Sequence, residues 1–168
     1  TEKKGDTVPE RTSGIDKAAD ITIDANGNKI INWTIDFNSE ENVLKNVKLT
    51  DKYSSVGSKP EESSIKLYKL VGFDYVEQTL AGTAITFDDD EGTFTVDIGD
   101  IDAVPYRLTY TSTLSAAQEL ENAVSNSAKI TYTGNTEGET DSKEIPKPEL
   151  VIDKNATDLE KPSADNDL

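Results

Sequence analysis

The chain has 168 residues, with 33 acidic against 17 basic side chains and a formal net charge of −16. A polyanion is repelled by nucleic acid and by anionic lipid, so neither is expected as a partner. With no Cys, His or Met, disulfides, thiolate metal sites, cysteine nucleophiles and histidine-based triads are excluded, whereas carboxylate chemistry is not.

In chain order, residues 1–12, "TEKKGDTVPERT", read as an N-terminal linker. Strand-like alternation then dominates. "SGIDKAADITID" places Ile15, Ala19, Ile21 and Ile23 on one face, and Lys17 shares it. Asn26-Gly27 is a hairpin signal. "KIINWTIDFN" puts Ile31, Trp33, Ile35 and Phe37 on one face. The runs "NVKLTD", "SIKLYKL", "AITF", "TFTVDIG", "YRLTYTSTL" and "SAKITYTG" repeat the pattern. Turn-rich segments separate them, among them "NSEEN", "VGSKPEES", "DDDEGT" and "TGNTEGE". The only helical pattern is "SAAQELENA", residues 115–123, short enough to be a loop turn. Short strands with one apolar face and no helical crossovers predict an all-β fold, an antiparallel β-sandwich. No apolar run is long enough to span a membrane and no signal-peptide pattern is present.

The ends carry a second pattern. "VPERTSGIDK" (8–17) and "IPKPELVIDK" (145–154) each open with an aliphatic residue and Pro and close on Ile-Asp-Lys, with Pro9 and Pro146 equally far ahead of Lys17 and Lys154. This spacing predicts a joint between tandem domains: one sandwich over residues 13–143, then a linker and the first strand of a following unit, or a tail, over 144–168. A coincidental tripeptide in Pro- and Glu-rich linkers is the alternative. The chain starts at Thr1 and is expected to be a fragment of a longer protein.

Three polar residues break the face rule. Lys17 lies on the isoleucine face of its strand, Asp51 shares parity with Val47 and Leu49, and Asn126 shares parity with Ala128, Ile130 and Tyr132. An unpaired buried charge costs several kcal/mol, so three such residues make most sense if they meet. The alternatives are solvent at the strand ends and a plain buried ion pair with an Asn hydrogen bond. Asn122 has the same parity as Asn126 and is a competing partner; Asn126 is preferred because the apolar alternation of its strand begins there. Asp16 has outward parity.

The run "DKAADITIDANGNKIINWTIDFN…LKNVKLTD…YRLTYTSTL…NSAKITYTG", roughly residues 13–135, resembles the collagen-adhesin A-type (Cna A-type) Ig-like domains of Gram-positive surface adhesins and pilins. The resemblance implies an Ig-like sandwich at the bacterial cell surface, anchored to the cell wall through regions outside this fragment. It also implies an intramolecular isopeptide bond between Lys17 and Asn126, with Asp51 as its catalyst. The chemistry is consistent: desolvation lowers a Lys pKa and raises an Asp pKa, and a neutral amine can attack a carboxamide held beside it. That is a single-turnover self-modification, not an enzyme acting on a substrate, and it needs no cofactor or metal.

The function so implied is a stalk module whose partners are neighbouring tandem domains of the same chain. The alternative is a domain that binds a host extracellular-matrix protein such as collagen, for which Tyr68, Phe73 and Tyr75 in "LYKLVGFDY" are the best exposed aromatics. In the family such binding usually involves two adjacent domains. A calcium- or carbohydrate-binding reading of "DDDEG" (88–92) and "DIGDID" (97–102) is weaker, because "DDDEG" lacks alternating Asp spacing and reads as an acidic turn.

Overall fold

A computed structural model describes residues 13–53, 59–114 and 123–146. Ten strands are present among them: β1 (Ile15–Ile23), β2 (Lys29–Phe37), β3 (Leu44–Lys52), β4 (Lys66–Val71), β5 (Asp74–Gln78), β6 (Ile85–Asp88), β7 (Thr93–Ile101), β8 (Tyr106–Thr113), β9 (Ala123–Tyr132) and β10 (Asn135–Pro146). They form two five-stranded sheets, ordered β1-β2-β8-β4-β5 and β10-β9-β3-β7-β6. Every pairing is antiparallel, so the predicted all-β sandwich is the observed fold. The helical pattern at 115–123 falls almost wholly outside the described residues; Ala123 opens β9.

Alternation explains the core. Ile31, Trp33, Ile35 and Phe37 of β2 and Tyr106, Leu108 and Tyr110 of β8 are buried from one sheet. Val47 and Leu49 of β3, Phe94 and Val96 of β7 and Ala128, Ile130 and Tyr132 of β9 are buried from the other. Burial of a side chain of this size contributes roughly 1.5–3 kcal/mol, so both inner faces hold the sheets together. The β1–β2 hairpin closes at Asp24–Asn28, where the Asp24 carboxylate accepts hydrogen bonds from the amides of Asn26 and Asn28.

The C-terminal edge differs from the sequence reading. Within "TGNTEGE" the turn is confined to Thr133–Gly134 and β10 begins at Asn135, running to Pro146, three residues past the boundary expected at 143, with Ile145 buried in the core. The strand was hidden because it pairs only with β9 and is mostly polar, as an edge strand is. Its register shifts between Asn135 and Glu139. Gly138 sits in that bulge at φ +91, where a Cβ would lie 2.9 Å from the Ile130 carbonyl oxygen. The bulge aims Glu139 across the sandwich, where it accepts hydrogen bonds from the backbone amides of Ser13 and Gly14. Asp141 accepts one from the Lys17 amide at 2.7 Å. Edge strands β1 and β10 of the two sheets are thereby joined through carboxylates.

Candidate functional site

Lys17 is the one residue of β1 that is fully buried, while the isoleucines around it are half-exposed. Strand-end solvation therefore does not explain its parity. Opposite Ile35 in register, it extends over β2 so that its Nζ stands 4.8 Å from the centroid of the Trp33 ring and 5.2 Å from that of Tyr110. Asp51 and Asn126 approach from the other sheet. Asp51 pairs in register with Ala128 of β9, and Asn126 stands two residues from Ala128, in the diagonal position on the same face. The three residues picked out by parity do meet.

Their contacts are specific. Lys17 Nζ donates to Asp51 Oδ2 at 2.5 Å, and both side chains are wholly shielded from solvent. Tyr110 Oη donates to Asp51 Oδ1 at 2.8 Å. The same hydroxyl accepts from Asn126 Nδ2 at 3.0 Å and from Lys17 Nζ at 3.3 Å. Asn126 Oδ1 is buried with no hydrogen-bond partner among the described residues. An orphaned buried acceptor of this kind costs about 1–3 kcal/mol.

Electrostatics push the pair toward neutrality. Burial lowers the Lys17 pKa, against the opposing pull of the Asp51 charge and hydrogen bond. Burial raises the Asp51 pKa, against Lys17, Tyr110 and Asn126. Both shifts favour passing the shared proton from amine to carboxylate, leaving a free lone pair on Nζ. Burial, reinforced by the Asp51 charge, raises Tyr110 well above 10 and keeps its hydroxyl protonated. The set can therefore present an amine nucleophile, an acid and a carboxamide in a dry compartment.

The sequence reading did not single out Tyr110 for the site. The signal was available: a tyrosine on an apolar strand face must find a partner for its hydroxyl, and three buried polar groups lacked one. Asp16 is exposed, as its parity implied. Asn122 and Lys154 lie outside the described residues. Among the exposed aromatics, Phe73 is fully exposed at the tip of the β4–β5 hairpin, whereas Tyr75 lies under the Arg107 guanidinium at 4.2 Å. "DDDEG" forms the turn between β6 and β7, where the Asp88 carboxylate accepts from the amides of Asp90 and Glu91.

No family model and no curated protein matches the sequence. Solved structures do. The collagen-binding domain from a Staphylococcus aureus adhesin aligns with a TM-score of 0.55 at 16% identity, over 79% of this chain and 96% of that one. The chain has the Ig-like fold of collagen-adhesin domains. The collagen-binding subdomain of the Enterococcus faecalis surface protein ACE aligns with a TM-score of 0.53 at 16% identity, over 77% of this chain and 91% of that one. The collagen-binding domain of the Erysipelothrix rhusiopathiae surface protein RspB gives 0.56 at 17% identity, over 84% of this chain but 47% of that one.

Proposed function

We propose that this chain is a structural module of a bacterial surface adhesin that cross-links itself through an isopeptide bond from Lys17 Nζ to Asn126 Cγ, with Asp51 assisting. The observation that carries the reading is the burial of Lys17, Asp51 and Asn126 together around one hydroxyl, in a sandwich of the collagen-adhesin fold. An ordinary buried ion pair does not need an amide with an orphaned oxygen beside it. The bond would join β1 to β9, the strand that precedes the edge strand β10. It would fasten the two sheets to each other. The loop it closes, ~100 residues, corresponds to up to about 4–5 kcal/mol by the chain-entropy relation for cross-links, comparable with the whole stability of an ordinary domain. A cross-link of this strength suits a stalk that bears load or meets proteases, with its neighbouring tandem domains as its partners.

The test is a high-accuracy intact mass of the folded protein. The expected value is the sequence mass less one ammonia, and the deficit disappears in Lys17→Ala and in Asn126→Ala. Peptide mapping then separates Asn126 from Asn122 as the acceptor. A full sequence mass in the folded wild type overturns the reading.

A second reading, binding of a host matrix protein, is favoured by the near-complete overlap with the S. aureus collagen-binding domain. The fully exposed Phe73 gives such a ligand one apolar handle. Solid-phase binding to collagens, with Phe73→Ser as the control, tests it; no binding above that control removes it.

A further inference from the structure

We infer that Tyr110 is a catalytic residue of the cross-linking step, its hydroxyl relaying a proton from Asp51 to the departing nitrogen of Asn126. The inference rests on the isopeptide reading above and adds to it the route by which ammonia leaves. Asn126 Nδ2 must gain a proton to leave. It donates to Tyr110 Oη at 3.0 Å, and Tyr110 Oη is 2.8 Å from Asp51 Oδ1. The hydroxyl thus stands between the acid and the leaving group and touches both reacting nitrogens, Lys17 Nζ lying 3.3 Å away. Its ring is fixed by a stack on Trp33 and an edge contact with Phe94 at 4.9 Å between centroids, so the oxygen is held where the transfer needs it.

The step balances as follows. In the neutral pair, Lys17 carries an NH2 group that donates to Asp51 Oδ2, and the carboxyl proton sits on Oδ1, toward Tyr110. The Nζ lone pair forms the bond to Asn126 Cγ, and the carbonyl π pair moves onto Asn126 Oδ1. Asp51 Oδ1 gives its proton to Tyr110 Oη as Tyr110 gives its own to Nδ2. The Cγ–Nδ2 bond breaks, the carbonyl re-forms and ammonia departs. The surplus proton on Nζ returns to Asp51 through Oδ2, 2.5 Å away. One amine and one carboxamide become one secondary amide and one ammonia; Tyr110 ends as it began, and Asp51 again carries one proton, now on Oδ2.

Tyr110→Phe keeps the ring and removes only the relay. Cell-free synthesis followed by time-resolved intact mass reads the rate of ammonia loss. A positioned acid–base group contributes a factor of 10²–10⁴, so the variant is expected to cross-link at least ~100-fold more slowly while keeping the wild-type circular dichroism. Fluorotyrosines at position 110 give a second readout that packing alone would not move: the rate should follow the acidity of the phenol. Ammonia loss from Tyr110→Phe at the wild-type rate overturns the relay while leaving the cross-link intact. Should Tyr110→Phe fail to fold, a rate flat across the fluorotyrosines overturns it in the same way. A wild type of full mass overturns the cross-link itself, and the relay with it.

Discussion

Two lysine–aspartate pairs in this molecule have the same length and opposite character. Lys17 and Asp51 meet at 2.5 Å inside the sandwich, and Lys69 and Asp102 meet at 2.5 Å on its surface. Their lysine pKa values move in opposite directions. In Lys69 the hydrogen bond to Asp102 is the largest influence and raises it; in Lys17 burial is the largest and lowers it. Contact distance is therefore not what makes a lysine a nucleophile. The exposed pair holds its charges in water, where such pairs contribute little. The buried pair has lost its hydration, and neutralisation by proton transfer relieves the cost.

The largest expected difference between the pairs lies in stability. Asn126→Ala leaves the Lys17–Asp51 pair in place but removes the acceptor, so it should lose the cross-link and up to about 4–5 kcal/mol with it. Lys17→Met should lose a similar amount. Lys69→Met should melt with the wild type within the scatter of the measurement. Thermal and denaturant unfolding of the three variants checks this, and an Asn126→Ala melt equal to the wild type breaks the contrast.

The pH dependence sharpens it, and here the uncrosslinked Asn126→Ala variant is the sample. Asp51 is raised above the ordinary 3.8, so the folded state holds a proton that the unfolded state releases. Stability falls as pH rises from about 3.8 through the raised value. Lys17 is lowered from 10.5, so stability recovers as pH climbs through the lowered value toward 10.5. Between lies a trough. Lys69 is raised above 10.5; its contribution is present below 10.5 and fades as pH rises through its folded value, the opposite alkaline slope. Urea unfolding of Asn126→Ala against Asn126→Ala/Lys17→Met/Asp51→Leu, across pH, isolates the buried pair. A difference that shows no trough would mean that burial does not govern it.

Much of the site was legible in the sequence because strand parity is a strict rule. Lys17, Asp51 and Asn126 each occupy an inward register, and a single-residue slip would have turned any of them outward. The β2 and β8 faces were legible for the same reason. Tyr110 escaped notice because a tyrosine on an apolar face is unremarkable until its hydroxyl is asked for a partner. Strand β10 escaped because its acids point to turns and linkers unless the backbone amides they accept from are known. Asn46, at φ 56, interrupts β3 near a register shift, and this lets both Leu44 and Val47 face inward, which simple alternation forbids.

The smallest expected effect concerns the second link between the sheets, which is not covalent. The covalent link would run from β1 to β9; Glu139 of β10 holds the start of β1 by accepting from Ser13 and Gly14 amides and from the Ser13 and Tyr132 hydroxyls. Partial burial of Glu139 raises its pKa, but the hydrogen bonds from Tyr132, Ser13 and Gly14 outweigh it and leave the carboxyl lowered from 4.5. The stability it supplies is thus fully present above 4.5 and is lost as pH falls through its lower folded value. Glu139→Gln should cost about 1 kcal/mol in the Asn126→Ala background, with part of the interaction screened by solvent. In the cross-linked protein it should cost less, because the β1 strand is already tethered three residues beyond Gly14. Hydrogen exchange at the Ser13 and Gly14 amides should quicken in both backgrounds, since the cross-link does not accept from those amides. An unchanged exchange rate there would show that Glu139 does not hold the strand.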